Sequence, residues 1–150
     1  MLVRGKHIMR EYWNRPDATA SAIDELGWFH SGDVGYLDEE GYLYICDRLK
    51  DMVISGGENV YPAEVESVLF EHPAVAEVAV IGLPDDKWGE AVTAVAALVT
   101  GADLSLEELR SFAETKLARY KLPLRLHVVD ALPRNPAGKV LKFQLRESLA

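Results

Sequence analysis

Lys139 stands in "LPRNPAGKVLK", Leu132 to Lys142, directly behind a stretch containing proline and glycine. Pro136 suits the second position of a β-turn, and Gly138 can adopt a backbone angle that other residues resist, so the lysine leaves a defined turn. Its ammonium is a compact positive charge with three donors, suited to carboxylate or phosphate oxygens. The everyday occupant of such a turn is a solvated lysine, and the local sequence alone favours that reading. Asp33 in "HSGDVGY" offers a second chemistry. Its carboxylate can accept hydrogen bonds from paired sugar hydroxyls, or it can close a turn by accepting from backbone N–H groups. Arg48 in "DRLKD" either reaches the same sugar or pairs with the neighbouring Asp47, a surface ion pair of little energetic weight. Gly56 and Gly57 permit close backbone approach to a ligand, or simply turn the chain ahead of a helix. "ISGGENVYP" has neither the spacing nor the Lys-Ser/Thr ending of a phosphate-binding P-loop.

Other residues carry less. Glu64 and Glu66 are two positions apart and do not share a helix face closely; they read as first-turn glutamates favouring the helix dipole, not as a catalytic acid pair. His7, His30, His72 and His127 show no metal-ligand spacing, and no metal site is expected. Cys46 is the single cysteine, so no internal disulfide forms, and it lies in a strand pattern. No G-x-S-x-G elbow is present, and no nucleophile for covalent catalysis stands out. Trp88 in "PDDKWGE" is expected to pack on a strand edge.

Composition narrows the partners. The chain has 150 residues, 49% of them hydrophobic, a formal net charge of -8 and an isoelectric point near 5.0. An acidic chain without a long Lys/Arg run repels a phosphate backbone, so nucleic acid is not an expected partner. A small anionic cofactor needs only a few local donors. No apolar run reaches the roughly 20 residues that span a bilayer, the start is not a signal peptide, and a reducing cytosol is the expected compartment.

Local patterns supply the elements that must position these groups. A turn at Asn14–Pro16 leads into a short helix capped by Asp17 or Thr19. "VGYL" and "YLYIC", joined by the polar turn Asp38–Gly41, predict a β-hairpin. "MVI" adds a short strand after a turn at Leu49–Asp51, and "SGGENVYP" reads as a loop. Pro62 opens a helix marked by Val65, Val68 and Leu69 and bounded by Pro73. "AVAEVAVIG" and "AVTAVAALV" predict strands buried on two faces, separated by "LPDDKWGE". Ser105 and Glu108 form a capping box, ahead of one apolar helix side running from Leu106 through Leu117 to Tyr120. "RLHVVD" supplies another strand and "FQLRESL" a closing amphipathic helix. From Tyr61 onward this is an α+β or α/β unit. The hairpin-rich first part is too small for a good core of its own, which places the boundary between Cys46 and Ser55.

Taken in order, "EYWNRPDAT", "GWFHSGD", "GYLYICDRLKDMVISGGENVYPAEVE" and "LPRNPAGKVLK" resemble the adenylate-forming acyl-CoA synthetases. That group also holds luciferase-like enzymes and the adenylation domains of peptide synthetases. The resemblance covers essentially the whole chain. It implies an α+β small, mobile C-terminal domain with mixed short sheets and flanking helices at 50–150, preceded at 1–49 by a hairpin-rich remnant of the large nucleotide-binding domain. It implies that Asp33 holds the ribose hydroxyls of ATP or the acyl-adenylate, that Arg48 binds the same nucleotide region, and that Lys50 is the hinge. Gly56 and Gly57 would line the pantetheine tunnel, and Lys139 would be the catalytic lysine of adenylation. The implied reaction converts a carboxylic acid and ATP, accompanied by Mg2+, into acyl-AMP and pyrophosphate. The small domain then swings, and the thiol of coenzyme A attacks the acyl carbonyl.

Departures from the family pattern are small: Ser31 replaces the commoner threonine and Glu11 a common glycine. "SGGENVYP" looks more like the free-acid:CoA ligases than the peptide-synthetase domains. The phosphate loop, adenine pocket and acyl pocket of the family are not in this sequence. The chain therefore reads as a C-terminal fragment without ligase turnover of its own, partnered by a missing N-terminal large domain. The alternatives are a stand-alone interaction or regulatory module built on the same fold, and a luciferase-like adenylating oxidase.

Overall fold

Short pairings dominate the first third of the chain. In a computed structural model, which describes all 150 residues, two units separate, Met1–Lys50 and Asp51–Ala150. In the first, β1 (Leu2–Val3) precedes α1 (Pro16–Ala22) and β2 (Phe29–His30), and β1 pairs antiparallel with β2. Neither Asp17 nor Thr19 caps α1, contrary to expectation. Pro16 occupies the first helical position, which moves the cap to Arg15, and no side chain caps there. Thr19 Oγ1 instead donates to the Arg15 carbonyl at 2.9 Å and accepts the Tyr12 N–H at 2.9 Å. The expected hairpin forms from β3 (Asp33–Leu37) and β4 (Leu43–Arg48). Its turn is closed by the Asp38 carboxylate, which accepts the Glu40 and Tyr42 N–H groups at 3.0 and 2.8 Å. Those bonds favour the ionised form and hold the Asp38 carboxyl below its ordinary value.

The second unit opens on β5 (Val53–Ser55) and β6 (Glu58–Val60), which pair antiparallel across Gly56 and Gly57. Both glycines have positive φ, 61° and 84°. That is the two-residue hairpin turn whose twist matches its strands and which glycine enters without strain. "SGGENVYP" is thus a hairpin rather than a loop; Glu58-Asn-Val becomes a strand through its pairing, not through apolar pattern. Pro62 then starts α2 (Pro62–Leu69) at its first position. β7 (Val75–Asp85) and β8 (Gly89–Leu98) follow as one long antiparallel hairpin. Strand pairing extends into the expected loop, so only residues 86–88 turn the chain. α3 (Leu106–Ala113) carries the full capping box: Ser105 Oγ accepts the Glu108 N–H at 3.2 Å and Glu108 Oε2 accepts the Ser105 N–H at 2.9 Å. The helix stops at Ala113, short of Leu117 and Tyr120. Lys116 and Leu117 both donate to the Ala113 carbonyl, and Leu117 reaches the core from that turn. β9 (Arg125–Val128) adds to β8 in parallel, and α4 (Lys142–Leu149) closes the chain. The expected α+β class holds. No helix is long and apolar enough to cross a membrane.

β8 is the centre of this sheet, with β7 on one side and β5 and β9 on the other. Alternation along the two long strands sends side chains into two separate cores. Val80, Val92 and Ala94 pack with Val65 and Leu69 of α2 and Leu109 and Ala113 of α3. Ala79, Ile81, Leu83 and Val95 pack with Leu132 and with Leu145 of α4. Small residues on β8 let helices approach both faces. Glu66, expected only to favour the helix dipole, instead works on the edge strand: it accepts the Val80 N–H at 2.7 Å and pairs with Lys142 at 2.7 Å. It thereby covers part of the β7 edge, where unpaired N–H groups invite aggregation.

Candidate functional site

The β3–β4 register sets Asp33 directly opposite Arg48. Arg48 Nε lies 2.9 Å from Asp33 Oδ1, and Arg48 Nη1 donates to the Ser31 carbonyl at 3.3 Å. The expected alternative, a side-chain pair with Asp47, gives way: Asp47 Oδ1 accepts the Arg48 backbone N–H at 2.7 Å. Strand pairing brings the guanidinium to a carboxylate fifteen positions away, while the sequence neighbour holds the backbone N–H. Ser31 Oγ accepts the Asp33 N–H at 3.1 Å, so the hydroxyl retained at that position fixes the aspartate's backbone. The pair is partly solvated, and such bridges contribute only about 0–1 kcal/mol. Its value is orientation. A carboxylate has acceptor sites beyond the one Arg48 uses, and a guanidinium has five donors, so the pair can bind a diol and an anion side by side.

Lys50 sits in a 3-10 turn, Leu49–Asp51, at the end of the first unit. The residues flanking it are tied to different units. The Leu49 N–H donates to the Gly32 carbonyl at 2.7 Å, and Asp51 Oδ1 receives Arg146 Nη2 of α4 at 3.1 Å.

Beside the Gly56–Gly57 turn lies Trp88, whose backbone carbonyl accepts the Gly56 N–H at 2.8 Å. A Cβ on Gly56 would stand 2.9 Å from the Trp88 ring, closer than real carbons approach, so the indole seals against bare backbone. Trp88 thus packs on the β5 strand end, as expected, and does more: with Ser55, Arg110, Arg119, Tyr120 and Leu124 it lines a cavity of about 400 Å³. Two aromatic rings and two guanidiniums make it suited to a flat, anionic ligand. Sequence alone points to neither Arg110 nor Arg119, and it marks Tyr120 only as a helix-face position. They come from a helix and a 3-10 turn, and no short spacing joins them; only the β5–β8 contact brings Ser55 and Trp88 alongside.

Lys139 is exposed, on a turn between the bridged residues Arg134 and Val140. The Gly138 N–H donates to the Asn135 carbonyl at 2.9 Å, placing Pro136 second in the turn as expected, and Gly138 takes φ 81°. The Lys139 ammonium has no hydrogen bond or ion pair, whereas Lys116, Lys121 and Lys142 each hold a glutamate. Lys121 is held by Glu64, which raises its pKa above the ordinary lysine value. The predicted residues therefore fall into two groups: Asp33 and Arg48 together in the first unit, and Gly56, Gly57 and Lys139 in separate turns of the second.

Known proteins share this sequence and fold. Residues 64–139 match the family described as the AMP-binding enzyme C-terminal domain, and the chain belongs to that family, the C-terminal region of the adenylate-forming acyl-CoA ligases. It is 55% identical to the long-chain-fatty-acid–CoA ligase FadD13 of Mycobacterium tuberculosis, over 98% of this chain and 29% of that protein. The solved o-succinylbenzoate CoA synthetase of Bacillus subtilis, in complex with its acyl-adenylate intermediate, is 48% identical with a TM-score of 0.88, over 97% of this chain and 29% of that one. The amide bond synthetase McbA of Marinactinospora thermotolerans is 41% identical with a TM-score of 0.86, over 99% and 30%. The chain thus spans under a third of the length of the relatives it matches.

Proposed function

We propose that this chain is the C-terminal part of an ATP-dependent, AMP-forming carboxylic acid:CoA ligase, and that its partner is a large upstream domain of the same protein. The observation that carries the reading is Lys139: an exposed ammonium without an ion pair, its backbone fixed where it leaves an ordered turn, whereas Lys116, Lys121 and Lys142 each hold a glutamate. In the first step the carboxylate oxygen of the acid attacks the α-phosphorus of ATP, and pyrophosphate leaves. Lys139 stabilises the negative charge gathering on those oxygens. Asp33 accepts hydrogen bonds from the ribose hydroxyls, and Arg48, aimed by Asp33, contacts the same nucleotide. In the second step the thiol of coenzyme A, losing its proton, attacks the acyl carbonyl and AMP leaves. The Gly56–Gly57 turn, without side chains, gives the pantetheine arm room, and the neighbouring cavity of Trp88, Tyr120, Arg110 and Arg119 suits a nucleotide end with a base and phosphates. Rotation at Lys50 brings the two sets of groups into use in turn. No three His, Cys, Asp or Glu side chains cluster to hold a metal; Mg2+ enters with ATP, and no step assigned to this chain runs through it.

The resemblance to an amide bond synthetase favours one other outcome, in which the same acyl-adenylate is passed to an amine. The deciding measurement is pyrophosphate release by the full-length protein across a panel of carboxylic acids, with coenzyme A, with an amine, and with neither. Acid-dependent release, with a thioester product only when coenzyme A is present, supports the ligase. An amide product supports the second reading, and no acid-dependent release sinks both. The chain alone, 1–150, is expected to form no acyl-CoA.

A further inference from the structure

A lysine on a five-residue turn is useful only if the turn has one shape. Asn135 supplies that shape almost single-handedly. Its side-chain Oδ1 accepts the Lys139 N–H at 2.8 Å and the Ala137 N–H at 3.1 Å, while its own N–H donates to the Lys139 carbonyl at 2.9 Å. Both backbone groups of Lys139 are therefore held by this one residue. Asn135 is half-buried beneath the exposed tip. An asparagine side chain that bonds its own downstream backbone mimics an extra turn of main chain. Here it does so without a charge, and that matters beside a lysine whose ammonium must stay unpaired until substrate arrives: an aspartate would give the ammonium a local partner. Arg134 completes the frame. Its Nη1 donates to the Gly138 carbonyl at 2.6 Å and its Nη2 lies 3.1 Å from Glu77 on β7, which fastens the turn to the sheet.

We propose that Asn135 is the positioning residue for Lys139: its carboxamide fixes the turn that aims the ammonium, and it touches no substrate itself. The proposal rests on Lys139 serving the adenylation step. Its particular consequence is step-specific, because misplacing a charged group by an ångström can cost about 100-fold in the reaction that uses it and nothing in one that does not.

The test uses the full-length protein and its best acid, with two half-reactions measured separately: pyrophosphate release, and thioester formation from supplied acyl-adenylate and coenzyme A. Asn135→Ala should lower kcat for adenylation by about 10- to 100-fold with little change in KM for ATP, and leave thioester formation within about twofold. Asn135→Ser, whose hydroxyl makes the same turn bonds more weakly, should recover part of the loss. Lys139→Ala runs alongside. If Lys139→Ala loses adenylation while Asn135→Ala retains the wild-type rate, the positioning role is wrong. Equal losses in both half-reactions, or Asn135→Ser no better than Asn135→Ala, would also overturn it, as signs of general damage. Should Lys139→Ala adenylate normally, the reading of Lys139 itself fails, an outcome distinct from the others.

Discussion

Two antiparallel hairpins in this chain are built from similarly apolar residues and end differently. β7–β8 is buried: every residue from Ala91 to Ala97 is inside. β3–β4 is not, and Tyr36 and Ile45 are 58% and 60% exposed. Indeed no residue of Met1–Lys50 is buried, and all core side chains belong to the second unit. The difference is layers. β7–β8 has α2 and α3 on one face and α4 on the other, whereas nothing within the first unit covers its hairpin. What remains there is pairing, the stacked rings of Tyr36 and Tyr44 with centroids 5.2 Å apart, and the Asp33–Arg48 bridge. Strand propensity and cross-strand pairs shape a hairpin; without a third element they do not make it stable alone.

That contrast can be broken at its strongest point by cutting the chain after Lys50. Residues 51–150 should melt cooperatively by circular dichroism, whereas 1–50 should show no cooperative transition; a sharp melt for 1–50 would refute the layer argument. Within the second unit, Leu69→Ala or Leu109→Ala should cost about 2–5 kcal/mol in urea unfolding, since both are wholly buried between helix and sheet. Ser105→Ala should cost about 1 kcal/mol by removing the α3 cap. The same capping box makes a prediction about acid. Bonds from Ser105 hold the Glu108 carboxyl below its ordinary value of 4.5. Its stabilising contribution is therefore complete above that value and is lost as pH falls through the lower, folded one. Acid titration of Ser105→Ala should show a shallower loss than the parent. The smallest effect falls on the first unit, where Ile45→Thr should change stability by less than about 0.5 kcal/mol. A drop comparable to Leu109→Ala would mean the hairpin face has a cover of its own.

These hairpins also mark where sequence reasoning succeeds and stops. The Ser105–Glu108 box and the Pro62 start were legible because their chemistry is complete within four residues. The partner of Arg48 was not, because Asp47 and Asp33 are equally good carboxylates and only the register, with its bulge between Val34 and Gly35, decides. β6 was missed because its strand character is conferred by β5. Leu117 keeps a helical spacing beyond the end of α3, since a following turn can bury an apolar side chain as well as a helix can, whereas Tyr120, at the same spacing, stays 44% exposed. The lysine turn was legible from Pro136 and Gly138, yet Asn135, which holds it, looked like any polar turn residue.

The Asp51–Arg146 pair has a mechanical consequence. Asp51 is the first residue after Lys50, and Arg146 lies on α4, which begins three residues after Lys139. With Lys50 as the pivot proposed above, the path from it to Lys139 would be a short crank: one ion pair, one helix packed on the sheet through Leu145, one closed turn. Torque applied at Lys50 would then reach Lys139 as displacement instead of being absorbed along a slack chain. Loosening Arg146 would add backlash to that linkage while leaving both of its ends chemically intact.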